Sequence, residues 1–167
     1  MKMPFTPLHL GPALLIGILL LKVLDLPTFI VASLIVDLEP FFVIITGINY
    51  PLHGLLHTFL GGTALAFALM AAMVRFRGAS SRVSEAFGIK QRSSVKMVAA
   101  ASFLGVYTHL LLDAPLYSDM MPLYPMGLNP LFYPESSVLI YSLCAAAFVL
   151  GIFIYLAKLL HYGKPAA

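Results

Sequence analysis

Five long apolar runs, over about residues 7 to 24, 27 to 48, 55 to 74, 95 to 113 and 136 to 160, constrain this chain more than any other feature. A helix rises about 1.5 Å per residue, so a run of about 20 residues matches the roughly 30 Å hydrocarbon core of a bilayer. Hydrocarbon offers no partner to a free backbone N–H or C=O, which leaves helices as the way across. A composition with 60% hydrophobic and only 10% charged residues, and a mean hydropathy of +0.95, excludes an ordinary soluble domain. The expected fold is an all-α integral membrane protein, a bundle of about five transmembrane helices with a re-entrant or capping loop. Residues 1–167 then form a single transmembrane domain. The first run carries His9 in its first turns, lacks a small-x-small cleavage site and leads closely into a second span, so it reads as a retained helix. The single cysteine, Cys144, excludes a disulfide framework or thiolate cluster and reads as a packing residue.

The polar stretch 75–96 holds Arg75, Arg77, Arg82, Lys90, Arg92 and Lys96 against Glu85. Basic loops stay on the cytoplasmic side, so this is expected to be a basic cytoplasmic loop, with Gly78, Ser80 and Ser81 suggesting a turn. Contact with anionic headgroups is its secondary reading. The net charge of +3 then reflects topology, and no nucleic-acid partner is expected. Alternation of spans puts the N-terminus outside, residues 22–26 inside, 49–52 and 114–135 outside, and the C-terminal tail with Lys158 and Lys164 in the cytoplasm of a cell with this multi-pass protein in its plasma membrane.

All but His161 of the five histidines then fall toward the outer side. His9 stands at the outer end of the first span, His53 and His57 at the outer start of the third, and His109 with Asp113 at the outer end of the fourth. Ionisable side chains in hydrocarbon cost a few kcal/mol each, so such residues face an internal cavity and serve a purpose there. Positions i and i+4 share a helix face, so His53 with His57, and His109 with Asp113, each form a pair able to grip an ion. Asp37 lies roughly 15 Å below the outer end of its span. Pro40 removes a backbone hydrogen bond there and opens the helix toward a recessed site. Asp37 and Glu39 cannot both face that site on a regular helix, so one is expected as a ligand and the other as a base or hydrogen-bond partner.

The candidate metal ligands are thus His9, Asp37, Glu39, His53, His57, His109 and Asp113. Imidazole and carboxylate without thiolate suit a divalent metal, zinc first, with manganese or iron as alternatives. The set exceeds the needs of one tetrahedral ion, so one or two ions are expected, with surplus groups orienting the ligands. His161 beside Lys158, and Asp25 beside Lys22, read as interfacial residues. Residues 114–134, APLYSDMMPLYPMGLNPLFYP, are too apolar for a tether and too broken by proline for a helix. The segment 114–135 is expected to be an outer-side lid over the site, its tyrosines and Asn129 reaching toward a headgroup and Asp119 adding a polar group.

The opening Met3-Pro-Phe-Thr-Pro-Leu-His9, the run Val36-Asp37-Leu38-Glu39-Pro40, the segment Leu52-His-Gly-Leu-Leu-His-Thr58 and the segment Thr108-His-Leu-Leu-Leu-Asp-Ala114 together resemble the YdjM-like group of membrane-bound, predicted metal-dependent hydrolases. In that group an early His, an Asp-x-Asp, a His-x3-His and a late His-x3-Asp occur in this order. The resemblance covers residues 3 to about 134. It implies roles for His9, Asp37, His53, His57, His109 and Asp113, with Glu39 in place of the second Asp, and it departs at Gly54 and Thr58.

The expected function is a membrane-embedded metal-dependent hydrolase acting on a lipid or lipid-linked substrate, a phosphoester, at the outer face. Glu39 or Asp37 would be the catalytic proton acceptor. Membrane lipid and a small lipid-linked substrate are the expected partners, and the sequence leaves the oligomeric state open. A ceramidase-like amide hydrolase is the related alternative. A non-enzymatic metal- or proton-binding membrane protein is the second class, disfavoured by the lack of an internal repeat and of polar residues on the inner half. Membrane desaturases and hydroxylases need more histidines than the five present.

Overall fold

The computed structural model describes residues 7–162, whose regular structure is entirely helical. In chain order the helices are α1 (Leu10–Leu19), α2 (Leu26–Ile35), α3 (Leu38–Thr46), α4 (Phe59–Arg75), α5 (Arg77–Ala86), α6 (Val95–Asp113) and α7 (Ser137–Tyr162). Short 3-10 turns at Pro7–His9, Leu55–His57 and Pro134–Ser136 lead into α1, α4 and α7. The motif residues from Met3 to Thr6, and Lys164, lie outside the described residues.

Three segments are long and apolar enough to cross a membrane: Leu26–Thr46, which is α2 with α3, Val95–Asp113, and Pro134–His161. Helices α4 and α5 meet at 78° and make a fourth if taken as one broken span. The first run is shorter than expected. Helix α1 has 10 residues, or about 15 Å, because the chain is pulled into a turn at residues 20–25. Gln91 holds that turn, its amide donating to the carbonyls of Leu21 (2.5 Å) and Leu24 (2.6 Å) and accepting from the Leu26 N–H at 3.1 Å.

Asp25 is buried, where an interfacial charge was expected. It is the N-cap of α2, accepting from the Thr28 N–H at 3.0 Å, from the Thr28 hydroxyl and from the Ser80 hydroxyl at 3.3 Å. Ser80 comes from α5, and this corrects the expectation of a turn there. With Ser80 and Ser84 one helical turn apart and both buried, residues 77–86 form a helix with one face packed and Arg82 outward.

Helix α6 lies at the centre, with α2 against one side and α4 against another. Small residues at the contacts let these apolar helices approach closely. Gly105 sits where a Cβ would strike the Ala32 side chain and the Phe29 carbonyl. Helix α1 meets α7 in the same way at Gly11, against the Cys144 carbonyl. On its other side α7 exposes Val138, Leu139, Val149, Phe153 and Leu160, a largely apolar face with Ser142 among them, suited to hydrocarbon.

Residues 114–133 form an ordered loop across one end of the bundle. The Phe59 N–H donates to the Pro122 carbonyl at 2.9 Å, and the Tyr133 N–H to the Pro115 carbonyl at 3.0 Å. Asn129 does not reach outward as expected. Its amide donates to the carbonyls of Ala114 (2.7 Å) and Tyr117 (3.2 Å), closing the loop on itself. Leu116, Tyr117 and Met120 are buried beneath, while Tyr124, Met126, Leu128 and Tyr133 are exposed above.

Candidate metal centre

The site is built where α2 breaks. Pro40 has no N–H to give the Val36 carbonyl, which instead accepts the Glu39 N–H at 3.2 Å, and the Asp37 N–H turns back to the Leu34 carbonyl at 3.1 Å. This tightening separates α2 from α3. It also points Asp37 into the bundle, buried, while Leu38 beside it is exposed.

His109 and Asp113 lie one turn apart on the buried face of α6 and come together as their spacing predicts, with Nε2 and Oδ2 3.0 Å apart. His53 and His57 do not share an α-helical face. Thr58 accepts the Gly61 N–H at 2.9 Å and fixes the start of α4 after itself, so His57 ends a 3-10 turn and His53 belongs to the turn before it. Their rings still meet edge-on at 4.8 Å. His9, at the mouth of α1, places Nε2 3.1 Å from Asp113 Oδ1 and its ring 4.4 Å from that of His109.

Asp37, His57, His109 and Asp113 each turn one ligand atom toward the others, all within 4.8 Å, and all four side chains are buried. Ligands at about 2.1 Å in a tetrahedron stand about 3.4 Å apart, so binding closes the widest of these gaps by roughly an ångström and slightly opens the 3.0 Å approach of His109 to Asp113. Although His57 Nε2 lies 3.9 Å and His109 Nε2 3.0 Å from Asp113 Oδ2, neither nitrogen is aligned to hydrogen-bond it. Asp37 Oδ2 is also buried without a hydrogen-bond partner, and Asp113 Oδ1 faces His9 Nε2 at 3.1 Å without the alignment of a hydrogen bond. Buried polar atoms left in that condition cost free energy, and two carboxylates this close repel each other in a medium of low dielectric. A divalent cation would relieve both.

The opposite ring nitrogens explain how the histidines are aimed. His109 Nδ1 faces the Ser33 carbonyl at 2.8 Å, His57 Nδ1 faces Glu39 Oε2 at 2.8 Å, and His53 Nδ1 faces Asp119 Oδ1 at 3.0 Å. Each leaves a buried, unbonded Nε2. An anchored Nδ1 and a free Nε2 is the arrangement of a metal-binding imidazole, with the anchor setting tautomer and ring direction.

Glu39 stands outside the four-residue cluster. One of its oxygens serves His57, and the other accepts the Leu56 N–H at 3.1 Å and faces the Tyr50 hydroxyl at 3.4 Å. His9 and His53 flank the cluster. Asp119 accepts the His53 N–H at 3.2 Å as well as facing its ring, and Tyr117 stacks on that ring at 3.9 Å, so the lid loop is fastened to the site. Partial burial alone would raise the Asp119 carboxyl. The charge of His53, and the hydrogen bonds from its ring and backbone, outweigh this and hold the carboxyl below the usual range. The Ser33 carbonyl was not among the sequence candidates, since a backbone group carries no residue signature. His161 lies on α7 near its C-terminal end, far along the chain from the cluster residues.

No protein-family model, curated protein or solved structure matches this chain, so the centre rests on its own geometry.

Proposed function

We propose that this protein is a membrane-embedded metal-dependent hydrolase acting on a lipid or lipid-linked substrate, a phosphoester, at the outer face of a cell membrane. The observation that carries the reading is the convergence of unbonded, buried His57 Nε2, His109 Nε2 and Asp37 Oδ2 around Asp113, with each imidazole anchored at its other nitrogen. Asp37, His57, His109 and Asp113 would hold the ion, and their oxygen and nitrogen donors suit zinc ahead of manganese or iron. When bound, such an ion supplies Lewis-acid polarisation and a water acidified toward neutral pH.

The chain's own groups divide the remaining work. Asp37, with one oxygen unpartnered, is the available proton acceptor. Both Glu39 oxygens are engaged, so its role in this reading is to aim His57 and not to act as the base. The lid keeps bulk water from the centre through Leu116, Tyr117 and Met120, and its exposed Tyr124, Met126 and Leu128 give it an apolar surface that can rest among lipids. Passes by α2 with α3, α4, α6 and α7 would place the basic 75–96 segment and the C-terminus in the cytoplasm, and the shorter α1, reaching from the inner end up to His9 beside His109, would direct the N-terminus toward the outside. The order of motifs shared with the YdjM-like group points the same way. An amide bond in a lipid substrate would use the same chemistry.

A transport role has less support. Buried Asp25, Thr28 and Ser33 do give α2 polar groups toward its inner end, but Asp25 is taken up in capping and the Ser33 hydroxyl donates to the Phe29 carbonyl at 2.9 Å.

The test is elemental analysis of protein purified with zinc, manganese or iron present, paired with phosphate release from lipid-linked phosphoesters in vesicles. About one or two equivalents of metal and chelator-sensitive release are expected. Metal-free protein under every condition would overturn the reading.

A further inference from the structure

The end of the bundle opposite the His/Asp cluster holds a cavity of about 940 Å³, and none of the cluster residues lines it. Its walls come from the end of α1, the turn that follows, the connector between α5 and α6, the start of α6 and the last turns of α7. Met97 and His109 both lie on α6, 12 residues apart, so the two regions are about 18 Å apart along that helix. Much of the lining is leucine and isoleucine, and four cations join it: Lys22, Lys90, Arg92 and Lys158.

These cations arrive from three separate elements, and no carboxylate among the described residues lines the cavity. Among the described residues none of the four forms an ion pair, since every pair there involves a histidine. The neutral polar groups of the lining are already used. Gln91 clamps the turn at 20–25, and the Tyr155 hydroxyl donates to the Phe87 carbonyl at 2.8 Å, tying α7 to the connector. The frame is therefore held by internal hydrogen bonds while the positive charges remain uncompensated. Lys22, Lys90 and Arg92 are exposed and Lys158 is half-buried, so the four give the cavity a positive rim that an anion would neutralise. A cavity of this volume accommodates a phosphate ester with its attached groups. Beside it α7 continues as an exposed apolar face at Leu156 and Leu160, where an acyl chain can lie.

We propose that this cavity binds a phosphate-bearing anion, held by Lys22, Lys90, Arg92 and Lys158. An anionic phospholipid headgroup and a free phosphate share the required chemistry. The site is independent of the metal centre and stands if that reading fails.

The experiment uses the full chain, delipidated in detergent, with native mass spectrometry after addition of phosphatidylglycerol, phosphatidylcholine or inorganic phosphate. The parent protein should retain about one phosphatidylglycerol or one phosphate and no phosphatidylcholine. Phosphatidylglycerol that inorganic phosphate does not displace identifies the lipid as the source, and displacement at millimolar phosphate identifies a free phosphate. Neutralising one cation removes about fivefold in affinity, so the Lys22→Gln/Lys158→Gln double variant should lose roughly 25-fold. Arg82→Gln removes an equal charge from an exposed position outside the cavity and should stay within about twofold of the parent. Arg92→Gln alone, losing about fivefold, serves should the double variant not give a monodisperse, helical protein. Equal retention of phosphatidylcholine, an unchanged affinity in folded Arg92→Gln or the folded double variant, or an equal loss in Arg82→Gln would each overturn the proposal.

Discussion

Asp37 Oδ1 stands 3.6 Å from His109 Nε2, bringing a residue from the break between α2 and α3 to the buried face of α6 near its C-terminal end. The meeting depends on how closely α2 and α6 approach. Gly105 is one turn before His109 on α6 and lies against Ala32 and the Phe29 carbonyl of α2, with no room for a side chain. Backbone contact at that point sets the distance across which Asp37 and His109 face each other.

Gly105→Val should therefore act on the centre from a turn away. Its methyl groups must push α2 from α6, a strain of about 1–3 kcal/mol, and both thermal stability and bound metal should fall. Gly78→Ala has open space around it and should change neither. Unfolding midpoints with metal analysis of both variants check this. Retained metal in a folded Gly105→Val protein would show that the α2–α6 distance does not govern the site.

Removing ligands should have a different signature from removing their anchors. His57→Ala and Asp113→Ala are expected to abolish stoichiometric metal, while His161→Ala leaves it intact. The measurement is metal content per chain after dialysis against a weak chelator.

Glu39→Gln should weaken metal binding about 10- to 100-fold without eliminating it, as expected when an imidazole loses the group that aims it. Activity measured at saturating metal should then largely return. A Glu39→Gln protein that keeps full metal affinity and loses all turnover would instead make Glu39 the base.

Asp119 links pH to the lid. Its carboxyl is held below the ordinary value of 3.8, so its contribution to stability is present above that value and disappears as pH falls through the lower folded-state value. The side chain is 41% exposed, which limits the effect to less than about 1 kcal/mol. Asp119→Asn should melt below the parent at pH 7, with the gap closing at strongly acid pH. A gap that stays constant across the acid range would remove the charge from the explanation.

Topology can be read with thiol labels, because the single native cysteine, Cys144, is buried. In intact cells an impermeant reagent should label Tyr124→Cys and spare Arg82→Cys, both positions being exposed. The reverse pattern would move the metal centre to the cytoplasmic face.

The sequence alone determined the apolar, helical class, the basic end of the bundle and the confinement of the histidine and carboxylate motifs to the other end, because hydropathy, charge and proline act locally along the chain. It also marked Asp37 as a point of breakage through Pro40, and it paired His109 with Asp113 through one turn of regular helix. What it could not determine was direction across helices. Whether Asp37 or Glu39 enters the cluster depends on how the chain turns at the break, which starts from the rotation of α2 fixed against α6 at Gly105. The burial of Asp25 needed Ser80 from a helix 55 residues later, the aim of His109 needed a backbone carbonyl, and the pairing of His53 with Asp119 needed the lid to fold back over 66 residues. Each of these is a contact between segments distant in the chain, and only the tertiary structure brings such segments together.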